Sequence, residues 1–236
     1  MVDLFVACAK DDGRAPAFVL ATEARRAGLA VQQELAGRYR QFWQVGAEAI
    51  GSADPAVDAE LILLLHALLD DLGVRGVRLR LGTLGSPEGR AAYRERLKAH
   101  LRAHADELSA DVRARIDLNP LRAFDSDHPS TRRVMAQAPR LIDELAPEDA
   151  EHFAAVRALL DAAGVAYEID ETLVRGLDYY TRTVFEFTSD ALGAQSGVGG
   201  GGRYDDETTV LPGHMGVTTL GRERAANPFL QELPAA

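Results

Sequence analysis

The sequence predicts an α+β fold in which a strand-forming core is interrupted by a helical insertion and preceded by a small α/β fragment. Three observations carry this expectation. Short apolar runs of strand length cluster towards the two ends of the chain, the stretch from Ser86-Pro87 to about Gly164 is mainly helical, and Gly, Pro and capping residues punctuate the transitions. At 236 residues, with 47% hydrophobic and 26% charged side chains, the chain can bury a core and has an ordinary globular composition.

Residues 1–38 read as β-α-β: VDLFVACA as a short strand, APAFVLATEARRAG as a helix closed by Gly28, and LAVQQEL as a second strand. YRQFWQVGAEAIG follows as a strand. Asp54-Pro55 then supplies an N-cap and a first-turn proline. Leu61, Leu64, Leu65, Leu68 and Leu69 recur at helical spacing in a helix expected to be buried and to end at Gly73. GVRLRLGTL is a strand with arginines on one side. The helical region is broken at His128–Ser130 and at Ala146-Pro147, and VAYEIDETL returns the chain to β structure. The tail after Pro212 has weak periodicity. The expected organisation is therefore residues 1–38, a first core part at 39–85, the helical insertion at 86–164 and a second core part at 165–236.

Composition excludes several classes of function. A single cysteine, Cys8, gives no disulfide framework and no partner for a metal site, so the chain is expected to be cytoplasmic and to carry no metal ligands of its own. No apolar run approaches the ~18 residues of a membrane span, and no membrane partner is expected. No serine sits in G-x-S-x-G, and the six histidines form no H-E-x-x-H. The net charge of −10 argues against generic nucleic-acid binding. From Arg75 to Arg122, however, eleven Lys/Arg stand against six Asp/Glu. That window suits a solvated helical face or a phosphate-facing surface.

Three stretches carry chemistry. LVRGLDYYTRTVFEF, Leu173 to Phe187, opens with Arg175-Gly176, a fixed cation beside a residue that permits close backbone approach. From Tyr179 it alternates, with Thr181, Thr183, Phe185 and Phe187 on one parity and Tyr180, Arg182, Val184 and Glu186 on the other. A tyrosine-rich edge strand with a surface arginine fits the same pattern. SGVGGGGRYDD contains G-x-G-x-x-G at Gly197, Gly199 and Gly202, but Arg203-Tyr204-Asp205 follows without a helix start, which excludes a dinucleotide fingerprint. The glycines instead clear space on a sheet for a ligand. In YRQFWQVGAE, alternation puts Arg40, Phe42, Gln44, Gly46 and Glu48 on one face. These offer phosphate binding, a purine-stacking plate and acceptors for ammonium or imidazole N–H; an amphipathic strand with a polar solvent face is the alternative.

Together, LVRGLDYYTRTVFEF, GGGRYD and GRYRQFWQVGAEAIG resemble the histidyl-tRNA synthetases, a class II aminoacyl-tRNA synthetase family, over roughly residues 37–205. NPLRAFDSDH resembles the family's insertion region. Residues 1–38 resemble the beginning of the family's anticodon-binding domain, which in the family follows the catalytic core. No stretch matches motif 1, which builds the family's homodimer interface, or the first half of motif 2 with its ATP-binding arginine. LGRER at Leu220–Arg224 is a poor match to motif 3. The resemblance implies a rearranged or truncated synthetase with an antiparallel class II core and impaired activity.

What the resemblance implies for the site follows from the family's reaction, which joins histidine to ATP as histidyl-adenylate and passes it to the histidine tRNA. Arg175 would stabilise charge at the α-phosphate. Glu48 and Tyr180 would read the imidazole, Gln44 would hold the α-ammonium, and Tyr179 would line the pocket. Phe42 would stack on adenine, with Arg40 and Arg224 on the ATP side. Gly200, Gly201 and Gly202 would leave room for substrate beside a wall of Arg203 and Tyr204, and Mg2+ would accompany the nucleotide. Two other readings stay open: a histidine-binding regulatory subunit of ATP phosphoribosyltransferase that does not charge tRNA, and an inactive fragment.

Overall fold

The computed structural model describes residues 6–8, 17–25, 41–49, 51–173, 180–192, 197–210 and 216–228. In chain order the regular elements are β1 (Val6–Cys8), β2 (Ala17–Arg25), β3 (Gln41–Ala49), α1 (Pro55–Asp71), β4 (Val77–Thr83), α2 (Pro87–Ala103), α3 (Ala110–Arg113) and α4 (Pro129–Ala136). They continue with α5 (Pro147–Ala162), β5 (Tyr167–Ile169), β6 (Tyr180–Ser189), β7 (Gly197–Tyr204), β8 (Thr209–Val210), β9 (Thr218–Thr219) and α6 (Leu220–Ala226). The chain forms two compact units, one of Met1–Arg75, Ser189–Ser196 and Asp206–Ala236, the other of Gly76–Thr188 and Gly197–Asp205.

In the first unit β1, β2 and β3 form an antiparallel sheet in that order. The helix expected over residues 15–28 is replaced there by β2, which pairs with β3 from Ala17↔Ala49 to Arg25↔Gln41 without a register shift. Nine consecutive pairings satisfy backbone groups that a lone helix would satisfy internally, and this tertiary pairing overrides the helix-favouring Ala, Leu and Glu of the stretch. The second strand expected at LAVQQEL lies outside the described residues. α1 begins as anticipated: the Ala56 N–H donates to the Asp54 carboxylate at 2.8 Å, and Pro55 occupies the first turn. Its C-terminal turn is closed by Gly73 at φ 70°. The leucine repeat is less covered than expected. Burial runs through Asp58, Ala59, Ile62 and Leu69, whereas Leu64 is 48% exposed. An apolar helix packed along one stripe leaves its other leucines at the surface.

The second unit is built on a four-stranded sheet of order β5-β4-β6-β7. β6 and β7 are antiparallel, and β4 pairs β5 in parallel through Leu79↔Tyr167 and Leu81↔Ile169. The sheet is therefore mixed, because α2 to α5 form a long crossover between those two strands. Ser86-Pro87, Pro129 and Pro147 each open a helix, since proline's fixed φ and missing N–H suit the first turn. The helices enclose a core of Tyr93, Leu97, Leu101, Leu108, Val134 and Met135 among others. Tyr93 is 2% exposed, donates to the Pro139 carbonyl at 3.0 Å, and has its phenol pushed up to about 12 by burial. Across one face of the sheet Arg80 binds both Asp170 and Glu186, its Nη1 2.9 Å from the latter. No helix among the described residues is long and apolar enough to cross a membrane.

Leu97 has no solvent exposure in the centre of α2. Leu97→Ala should cost about 2–5 kcal/mol of unfolding free energy through lost transfer energy and a residual cavity. Urea denaturation checks this; a change below about 0.5 kcal/mol, the scale of a surface substitution, would contradict the core assignment.

Candidate active site

The residues singled out from sequence divide between the two units. On β3, Phe42, Gln44, Gly46 and Glu48 occupy register positions of one parity, opposite Ala24, Thr22, Leu20 and Phe18 of β2. Glu48 is half-buried. Arg224 lies on α6, where its guanidinium binds the Asp206 carboxylate. The same stretch anchors the helix, as the Gly221 N–H donates to the Asp206 carbonyl at 2.9 Å. Arg40, Arg175 and Tyr179 lie outside the described residues.

In the second unit β6 and β7 bring Tyr180, Tyr204, Arg203 and the glycines together. Tyr180 pairs with Tyr204 and Thr181 with Arg203. The two tyrosine rings stack at 5.7 Å between centroids and 25° between planes. Tyr180 is 7% exposed and belongs to a cluster with Leu84, Leu173 and Val184, against which Tyr204 packs. The glycines have a reason beyond space for a ligand. A Cβ on Gly202 would stand 2.9 Å from the Thr183 carbonyl oxygen and 2.9 Å from Tyr180 Cδ1, and one on Gly201 would stand 3.1 Å from the Phe185 ring. A bare β7 lets the bulky side chains of β6 fold over it.

The alternation expected along β6 fails at Arg182. Thr181 still pairs with Arg203, but the next paired residue is Val184, opposite Gly202, so a bulge occupies the interval. Arg182 has φ 46°, a left-handed conformation unfavourable for a residue with a Cβ. Residues of both parities are buried, among them Thr183, Val184, Phe185 and Phe187. β6 lies inside the sheet between β4 and β7, so the edge-strand alternative does not hold.

The bulge is gripped from several sides. The Arg182 N–H donates to the Gly85 carbonyl at 2.8 Å, and its carbonyl accepts from the Leu84 N–H at 2.7 Å. Thr181 Oγ1 also donates to the Gly85 carbonyl, at 2.9 Å. Arg90, buried on α2, donates from Nη1 to the Tyr180 carbonyl at 2.9 Å. Burial, with Arg94 nearby, lowers the guanidinium pKa of Arg90, against the opposing effect of Asp205, Asp149 and Glu88. Asp149, with its side chain 1% exposed, accepts from the Ser86 N–H at 2.7 Å and Ser86 Oγ at 2.8 Å, and from Arg182 Nε at 3.0 Å. Burial alone would push this carboxyl up, but the Ser86 hydrogen bonds and Arg182 outweigh it and hold the group below the usual carboxylate range. Asp149, Arg182 and Arg90 were not foreseen as part of the site. Asp149 and Arg182 are 33 positions apart, and only the helix-start pattern Ala146-Pro147-Glu148-Asp149 hinted at an acidic first turn.

An open cleft of about 520 Å³ lies between the first turns of α2 and α5, lined by Ser86, Glu88, Gly89, Pro147, Glu148 and Arg182 among others. No sequence-expected site residue lines it. Among the described residues, no group of three His, Cys, Asp or Glu is arranged to hold a metal ion.

The family model described as histidyl-tRNA synthetase matches residues 27–215, beyond the motif-bearing stretch at both ends. The histidine–tRNA ligase of Halorhodospira halophila is 55% identical over 177 residues, 75% of this chain and 42% of that protein. That of Alkalilimnicola ehrlichii is 54% identical over 169 residues, 72% of this chain and 39% of that protein. The solved apo histidyl-tRNA synthetase of S. aureus superposes with a TM-score of 0.61 at 31% identity, over 81% of this chain and 44% of that one. The chain has the mixed α/β architecture of a class II synthetase core and belongs to the histidyl-tRNA synthetase family. Its lineage is that of the histidine–tRNA ligases rather than of the regulatory subunit. It spans about two-fifths of the length of these curated relatives.

Two outcomes follow from this geometry. Gly202→Ala should destabilise by about 1–3 kcal/mol through overpacking against the β6 backbone, read by urea denaturation; a neutral result would contradict the close approach of β6 and β7. Asp149 has a depressed pKa in the folded state, so its stabilisation is fully present above the ordinary carboxylate value near ~4 and is lost as pH falls through the folded value. The stability gap between the wild-type chain and Asp149→Asn should therefore be constant near neutrality and shrink on acidification. A gap that widens in acid would contradict the assignment.

Proposed function

We propose that this chain carries amino-acid-activating machinery of a histidine–tRNA ligase: it binds histidine and ATP and forms histidyl-adenylate, from which histidine passes to its tRNA. The observation that carries the reading is the stacked Tyr180–Tyr204 pair beside a run of glycines, within a chain of this family. Two aromatic faces and a phenol-bearing wall suit a planar, hydrogen-bonding imidazole. The cytosol, where this reaction serves translation, is the compartment that goes with this reading.

In this scheme Tyr180 reads the imidazole and Tyr179 lines the pocket, and the family resemblance also gives Glu48 a role toward the imidazole and Gln44 one toward the α-ammonium. Phe42 stacks on adenine, with Arg40 and Arg224 directed to the nucleotide. Gly200, Gly201 and Gly202 leave room for the substrate, and Arg203 and Tyr204 support the wall. The histidine carboxylate attacks the α-phosphorus in line, a bond from the carboxylate oxygen forms, and pyrophosphate leaves. No side-chain nucleophile is needed, so positioning and charge stabilisation supply the rate. Arg175 answers the charge that develops on the α-phosphate, which a planar guanidinium suits. Mg2+ enters as MgATP, part of the substrate, where it neutralises phosphate charge.

Of the ATP-gripping arginines that the resemblance implies, one has no counterpart in these 236 residues, and Arg224 stands in an altered motif. One lost transition-state contact of this kind lowers rate by ~10²–10³. The chain tested alone is therefore expected to activate histidine slowly and not to complete tRNA charging at an ordinary synthetase's rate. Histidine-dependent exchange of pyrophosphate into ATP by the purified chain is the direct test. Arg175→Ala should lower turnover by ~10²–10³ while leaving histidine binding near the wild-type value. Lost histidine affinity with unchanged turnover would contradict its role.

A further inference from the structure

Tyr180 owes its place to residues that lie outside the pocket. Its carbonyl is held by Arg90 at 2.9 Å, and two residues later the chain enters the left-handed bulge at Arg182. Such a conformation in a residue with a Cβ persists only where its surroundings over-determine it. Here they do so through Leu84 and Gly85 on the backbone side and through Asp149 on the side-chain side.

We infer that Asp149 and Arg182 are positioning residues, which set histidine affinity by fixing the β6 bulge and thereby the stack of Tyr180 on Tyr204, without touching the substrate. The inference rests on the histidine-pocket reading above. The two carboxylate oxygens of Asp149 divide the work. Oδ2 fixes Ser86, and with it the Leu84-Gly85 turn that grips the backbone of Arg182, while Oδ1 holds the Arg182 guanidinium. One buried carboxylate in the first turn of α5 thus determines both the turn and the strand that meet at the bulge. The fit around it is close. A Cβ on Gly89 would stand 2.9 Å from Asp149 Oδ2, and Gly85, at φ 59°, would carry one 3.3 Å from the same oxygen. On the far side of the bulge, Gly202 is bounded by the Thr183 carbonyl and the Tyr180 ring, so relaxation of the bulge moves Tyr180 against β7. Two residues, Arg182 and Thr183, stand between the Thr181↔Arg203 and Val184↔Gly202 pairs, so loss of the bulge would slide the rest of β6 two positions along β7.

The test uses the full chain in histidine-dependent pyrophosphate exchange, with 3-fluorotyrosine at position 204 as a ¹⁹F NMR reporter of the stack. Asp149→Asn should raise the KM for histidine about tenfold, the factor a lost charge-assisted hydrogen bond commonly produces. It should leave the KM for ATP unchanged and shift the position-204 resonance. Arg182→Lys, which keeps the charge but not the guanidinium geometry, should act in the same direction and serves if Asp149→Asn does not fold. Leu97→Ala, a core variant with its own stability loss, should move neither the histidine KM nor the resonance. An unchanged histidine KM and resonance in Asp149→Asn and Arg182→Lys, with normal histidine binding by the wild-type chain, would overturn the positioning role alone. Equal shifts in Leu97→Ala would reduce it to general destabilisation and overturn it as well. Absence of histidine binding by the wild-type chain would overturn the pocket reading and this inference with it.

Discussion

The arrangement of the second unit depends on one buried carboxylate. Asp149 is almost wholly removed from water and accepts three hydrogen bonds from two distant segments. A buried charge is tolerable only when partnered, and breaking such a pair by removing one side is far more damaging than never having had it. The turn before α2, the first turn of α5 and the start of β6 are therefore constrained to meet at one point. The irregular backbone at Arg182 follows from that meeting.

The second constraint is complementarity between β6 and β7. β6 carries Tyr180, Phe185 and Phe187, while β7 has glycine at every position from 199 to 202. Bulk on one strand and its absence on the next let Tyr180 and Phe185 lie across the β7 backbone, and Tyr204, just after the glycines, meets Tyr180. The glycine run therefore serves packing as well as any ligand. Those two roles converge, because the ring that needs the space is the ring assigned to the imidazole.

Local chemistry was legible in the sequence where it acts locally. Asp54-Pro55 and Ser86-Pro87 marked helix starts because a cap and a first-turn proline act within four residues, whereas Ala146-Pro147, read as a break, proved to open α5. The missing helix start after the glycine run excluded a dinucleotide fingerprint, and the run forms β7. The strand at Ala17–Arg25 was not legible, because its stability comes from a partner more than fifteen residues away rather than from its own composition. The bulge was hidden as well: Thr181 to Phe187 alternate cleanly on paper, and only contacts with Gly85 and Asp149 make the two extra residues favourable. Motif resemblance singled out Tyr180, Tyr204 and the glycines, which β6 and β7 bring together. The residues that hold them left almost no local trace, since Arg90 and Asp149 lie in a stretch legible only as mainly helical and meet β6 across long sequence separations.

The central claim is that the stacked tyrosines form part of a histidine pocket held from outside by the Asp149–Arg182 pair. A crystal structure of the chain grown with histidine tests it most directly. The account requires the imidazole to lie in contact with Tyr180 and Tyr204, with the Arg182 bulge and its bond to Asp149 intact. Histidine bound elsewhere on the chain, or bound at the tyrosines with a regular β6 and Asp149 detached from Arg182, would contradict it.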